Sequence, residues 1–231
     1  KGAALSGEEE LVRNIVSQRP NDLLGYGAYW NIEESDYSDH LSVGVHMLEI
    51  DPKNATLAIQ YSMWFGTDLG LHEAALIVID EAIESDPEVK QLYFMKSQYM
   101  IAAGLKNGGK ISQKDWVEVK KVLDAALSTP VDTESNDRSD NSSADMIADM
   151  IADMFDRQCR LLRAYIRFVY LNDEAGAQED FAIYKETTEG TSSALAQVGF
   201  ERLEMLGSGM IAGIEKMYIS ENMSGDAVRK A

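Results

Sequence analysis

Sulfur and imidazole chemistry is nearly missing from this chain. One cysteine, Cys159, excludes an intrachain disulfide and a cysteine-based zinc site. Of three histidines, His40 and His46 stand six apart on one predicted helix, a spacing that does not chelate one ion, and His72 stands beside Glu73 at a predicted helix start. No run approaches 18 apolar residues, so no membrane-spanning helix is encoded. The chain has no phosphate loop, dinucleotide glycine fingerprint, nucleophile elbow or His-Glu-x-x-His. Positive charge is short as well. Lys and Arg number 21 against 39 Asp and Glu, a formal net charge of −18, which argues against nucleic acid and anionic membrane as partners because both require clustered cations. With carboxylates this abundant some pair always lies close, which without a pocket is no argument for acid–base catalysis. No catalytic residue, metal ligand or cofactor is therefore expected.

What is present is helical periodicity. The 231 residues, 45% hydrophobic, can bury a sizeable core as one elongated array or as one to two domains. Between Thr56 and Val89, Leu57, Tyr61, Trp64 and Phe65 recur at helical spacing and Gly70 breaks the pattern. Ala75, Ile79, Ala82 and Ile83 then resume it until Asp86-Pro87. This predicts a helical hairpin, and a lone hairpin cannot bury both apolar faces, so similar neighbours are required. One lies directly upstream. Residues Asn21 to Asn54 overlay it without a gap, His40 and Met47 falling at the Ala75 and Ala82 positions and Asp51-Pro52 at Asp86-Pro87.

With Ala28, Gly70, Ala75 and Ala82 as small residues and Pro52 and Pro87 closing successive units 35 residues apart, the stretch resembles a tandem of tetratricopeptide repeats, whose unit is a 34-residue helix-turn-helix. Gly27 and Ser62 stand where that family favours leucine, and Met63 takes its small glycine position. The resemblance implies an all-α fold, a right-handed superhelical stack of such hairpins, here with one extended helix.

In chain order, residues 1–20 read as an N-terminal capping helix or half repeat, opened by the capping box Ser6-Gly7-Glu8-Glu9 and closed by Pro20. Residues 21–130 hold three repeats, the third with a glycine-containing loop from Leu105 to Gln113 between its helices. Residues 131–144 form a polar linker; Asp132, Glu134 and Asn136 imitate a calcium loop, but Asp137 occupies the glycine position and Ser143 that of the terminal glutamate. Residues 145–231 comprise the extended helix, running from Ser143 to Leu171, then a degenerate fourth repeat with Ala177, Phe181 and Tyr184, and C-terminal capping helices. Ser192-Ser193 is expected to cap one of these, Gly207-Ser208-Gly209 to turn the chain, and a last helix to run from Met210 to about Asn222.

In tetratricopeptide arrays the first helices line a concave groove. Carried over by position, the resemblance implies a groove of Tyr29, Glu33, Gln60, Trp64, Asp68, Phe94 and Gln98, or else packing of Tyr29, Trp64 and Phe94 between helices. It lacks the basic positions with which some family members clamp a C-terminal carboxylate. Arg160, Arg163 and Arg167 form a stripe that reads either as a solvated face pairing with neighbouring carboxylates or as a contact for an anion or an acidic partner.

A non-catalytic binding or scaffold protein with a peptide, protein or small ligand follows as the expectation. Cryptic repeats with a long Met-rich helix also resemble the helical component associated with bacterial TRAP-type transporters. That implies an oligomeric extracytoplasmic accessory, assembling through residues 143–155. A third reading, from another class, is a helical enzyme or regulatory domain holding a small anion on the arginine stripe. The chain opens with Lys1 rather than Met, which leaves a signal or lipid tether upstream open, and with it a cytoplasmic or periplasmic location.

Overall fold

A computed structural model describes residues 47–106, 109–129, 143–188 and 199–220, without the side chains of 68, 143–149 and 220. All regular structure among the described residues is helical, with no strand. After residues 47–50, which end a helix before Asp51-Pro52, come α1 (Ala55–Met63), α2 (His72–Ser85), α3 (Lys90–Lys106) and α4 (Gln113–Ser128). There follow α5 (Ser143–Val169), α6 (Glu174–Thr188) and, after a short 3-10 turn at Phe200–Arg202, α7 (Leu203–Glu215).

Local chemistry accounts for most of the boundaries. Asn54 accepts from the Leu57 amide at 3.0 Å and Ser112 from that of Asp115 at 3.2 Å, each satisfying a donor that the first helical turn leaves open. At its C-terminal end α1 widens into a π-helical turn, Trp64–Asp68, and Gly70, at φ 62°, reverses the chain in a conformation that costs a residue with a side chain far more. Asn172 makes the corresponding left-handed step between α5 and α6 at φ 54°. Asp173 then accepts from the Gly176 amide at 3.0 Å and opens α6.

Each helix from α1 to α6 packs on the next in sequence, the arrangement expected of consecutive hairpins. α7 departs from it. It lies back across α5 and α3, and its C-terminal π-helical turn, Lys216–Ser220, meets the π turn after α1. The main core accordingly joins Ala75 and Ile79 of α2, Leu92 and Tyr99 of α3, Val119 and Leu123 of α4, Leu162 and Ile166 of α5, and Ile214 and Tyr218 from the returning end. Each such large side chain contributes roughly 1.5–3 kcal/mol by leaving water. A second cluster, with Tyr165, Phe181 and Leu203, joins α5, α6 and α7.

The expected turn at Gly207-Ser208-Gly209 is not a turn: α7 runs through it. Gly207 serves a close crossing instead, since a Cβ there would lie 2.0 Å from the Tyr165 ring. Ser208 folds its hydroxyl onto the Glu204 carbonyl at 2.6 Å, a bond compatible with a continuing helix. Gly66 similarly admits the Tyr99 ring, which would stand 2.2 Å from a Cβ. The expected cap at Ser192-Ser193, the first helix of the first repeat, the N-terminal 20 residues and the polar linker up to 142 lie outside the described residues.

Candidate functional site: an apolar pocket and an arginine network

Where α7 crosses the stack it does not seal it. A cavity of about 550 Å³ opens between four helices. Among the described residues it is lined by Phe94 and Gln98 of α3, Met154, Arg157, Gln158 and Leu161 of α5, and Tyr184 and Thr188 of α6. Met210, Gly213, Ile214, Met217 and Tyr218 complete it from α7 and the π turn. Its walls are mostly hydrocarbon, sulfur and aromatic ring. Phe94 is held by Phe155, the ring centroids 5.7 Å apart.

Tyr218 fixes the near wall. Its ring meets Tyr99 edge-on at 5.1 Å and His72 at 6.4 Å, and its hydroxyl donates to Gln98 Oε1 at 2.9 Å. Burial pushes the Tyr218 phenol up to about 12, so it stays a donor. His72, itself buried, donates from Nε2 to the Tyr218 carbonyl at 3.0 Å. Burial holds the imidazole below its usual pKa, and the Lys106 ammonium adds to that against the opposing hydrogen bond, so the neutral ring is the resident form.

Of the groove residues read from the sequence, Phe94 and Gln98 are the ones that meet at this pocket among the described residues. Gln60 is exposed on α1. Trp64, 9% exposed, packs on Phe65 and Tyr61 with centroids 5.5 and 6.3 Å away, at the turn that α7's C-terminal end approaches. Asp68 ends that turn, and Tyr29 and Glu33 lie outside the described residues.

The arginines of α5 divide into two sets. Arg160 pairs with Asp156 at 2.9 Å, and Lys90 reaches the same carboxylate at 2.8 Å. Arg163 forks onto Asp180, with Nε at 2.8 Å, and reaches Asp124 on α4 at 2.8 Å. Arg167 takes Asp180 at 3.1 Å and the Gly176 carbonyl at 2.9 Å, with Nε 3.5 Å from Asp173. Asp180 is 1% exposed, so two guanidinium groups hold a buried carboxylate between α5 and α6. Burial opposes the Arg163 charge, but the Asp180 and Asp124 carboxylates outweigh it and raise its pKa. Asp124 is held below the usual carboxylate range although burial opposes this, because Lys120 and Arg163 both donate to it. Arg160, Arg163 and Arg167 thus have their charge matched by the protein itself.

Arg157 is the exception, and sequence reasoning did not single it out as a site residue. It lines the pocket, and its Nη1 donates to the Thr187 carbonyl at 3.2 Å. No carboxylate pairs with it among the described residues. Four arginines at helical spacing look alike in sequence; Arg160 finds Asp156 on its own helix, whereas Arg163 and Arg167 depend on the carboxylates that α4 and α6 bring. Cys159, nearby on α5, is buried and its thiol is pushed up to about 12, chiefly by burial and then by the Asp156 charge, which leaves it inert as a nucleophile. Among the described residues no group of His, Cys, Asp and Glu could hold a metal ion, and no helix is long and apolar enough to cross a membrane. No family model, curated protein or solved structure matches the chain.

Proposed function

We propose that the protein is a non-catalytic binding protein, built as a tetratricopeptide-like stack of helical hairpins, that receives a small apolar ligand in the pocket beneath α7. The observation carrying this reading is the roughly 550 Å³ apolar cavity at the meeting of α3, α5, α6 and α7, well within the size range of small-molecule sites. Two further features favour a compact ligand over an extended peptide. α7 crosses α3 and α5 and covers part of their surface, and Trp64 is packed rather than offered. The walls are held by interhelical contacts such as Tyr218 on Gln98 and Phe155 on Phe94, so a ligand enters without ordering the receptor and loses little affinity to that cost.

The test uses Gly213. It lines the pocket, and a Cβ built on it meets nothing within 4 Å, so a larger side chain takes up open space at the pocket without displacing a neighbour. In titrations of the neutral fluorophore N-phenyl-naphthylamine, the native chain is expected to enhance its emission and Gly213→Leu to abolish that at unchanged helicity. Equal enhancement by both proteins removes the pocket as the site.

A second reading, an oligomeric accessory component, is favoured by one observation. Met150 and Met154 are 60% and 40% exposed on the N-terminal half of α5, with Ile151 exposed between them. Such a patch would suit a second copy of the chain. Light scattering on Met150→Glu/Ile151→Glu against the native chain decides it, since an unchanged molar mass leaves this reading without support.

A further inference from the structure

The pocket reading leaves the ligand's chemistry open, and the inference here rests on that reading. We infer that the pocket takes an amphipathic anion, a monocarboxylate whose apolar chain lies among Phe94, Leu161 and Ile214 and whose head group pairs with Arg157. Three observations converge on it. The cavity walls offer an apolar chain little to hydrogen-bond, so the body of the ligand gains by burial. Arg157 brings a permanent cation to those walls, and among the described residues its guanidinium has one partner, the Thr187 carbonyl on Nη1. The carboxylate one residue away, Asp156, is already taken by Lys90 and Arg160.

The remaining Nε and Nη2 edge is a planar fork, which matches the two oxygens of a carboxylate. Gln158, also in the lining, makes no hydrogen bond with the described residues, which leaves an amide donor free at the same pocket. A single negative charge also suits a chain of net charge −18 better than a dianion, whose repulsion would be larger. A ligand with both parts gains at both ends of the pocket; an alcohol of equal length leaves Arg157 unmatched, and an alkylammonium opposes it.

The experiment is calorimetric titration of the full chain with decanoate, decanol, decyl phosphate and decyltrimethylammonium, each below its aggregation concentration. Decanoate is expected to bind at least about tenfold more tightly than decanol, the scale of one charge-assisted hydrogen-bonded pair. Arg157→Gln should lower decanoate affinity by about 10- to 100-fold and decanol affinity by less than about twofold, while Arg157→Lys, which keeps the charge without the fork, recovers part of the loss. Thermal unfolding of both variants is compared with the native chain, so that a folding defect is recognised as such. Equal binding of decanoate and decanol, or equal weakening of both by Arg157→Gln, overturns the anion while the apolar pocket stands. Tighter binding of decyl phosphate than of decanoate overturns the carboxylate assignment. If no chain compound binds and the neutral fluorophore also fails, the pocket reading falls and this inference with it.

Discussion

The two sides of α5 resolve their charges in opposite ways. Towards α4 and α6, Arg163 and Arg167 converge on Asp180 and each finds a further carboxylate, so a polar seam is closed by its own side chains. Nearer the N-terminal end of α5, Arg157 stands at an apolar hollow lined from α3, α6 and α7, with the Thr187 carbonyl of α6 as its partner. The same residue type on the same helix is structural at one end and available at the other. The difference lies in the neighbours: α6 supplies a buried aspartate, whereas α7 supplies glycine, methionine and isoleucine.

The largest effect should come from opening the closed side. Asp180→Ala leaves two arginines facing each other in a buried seam and is expected to lower stability by about 3–5 kcal/mol in urea titration. A loss below about 1 kcal/mol would mean that water already screens the seam. Next is the joint between the sides. Gly207→Ala forces a methyl onto the Tyr165 ring and should cost about 1–3 kcal/mol, together with fluorophore binding, because α7 forms one wall of the pocket.

Acid should act through His72 as well. Its folded pKa lies below the unfolded value, so the unfolded chain binds the proton first. Its contribution is fully present above about pH 6.5 and is lost as pH falls towards the folded value, with a slope of at most about 1.4 kcal/mol per pH unit. Comparing urea midpoints of the native chain and His72→Gln between pH 7 and 5 reads this, and equal slopes would remove His72 as the cause. The smallest effect belongs to the open side. Gly213→Leu should leave stability unchanged or raise it by up to about 1 kcal/mol, since glycine is a poor helix former and the added side chain meets free space.

Much of the local structure was legible. The break at Gly70, the end at Asp86-Pro87, the end of the inserted loop near Gln113 and the length of the helix from Ser143 all follow from period and breakers. Two i,i+4 pairs are open to this helix by spacing: Asp156–Arg160 forms, whereas Asp153–Arg157 does not, the Arg157 guanidinium turning to the Thr187 carbonyl of α6 instead. Gly207-Ser208-Gly209 misled because glycine has two uses, freedom in a turn and absence of bulk at a crossing, and only the position of Tyr165 distinguishes them. The candidate site was half legible for a related reason. Phe94 and Gln98 lie on a helix whose register is periodic, but the pocket exists because α7 doubles back across that helix.

The sequence by itself determined that the described residues are helical and where most of their helices begin and end. These follow from residue types and from spacings within a few residues, over which backbone geometry acts directly. The tertiary structure alone decided that Arg163 and Arg167 share Asp180 while Arg157 meets no carboxylate among the described residues, which aromatics are core and where the cavity lies. Those outcomes depend on side chains from helices tens of residues apart, such as Asp124, Asp180 and Ile214 arriving around α5, and no local period records that arrangement.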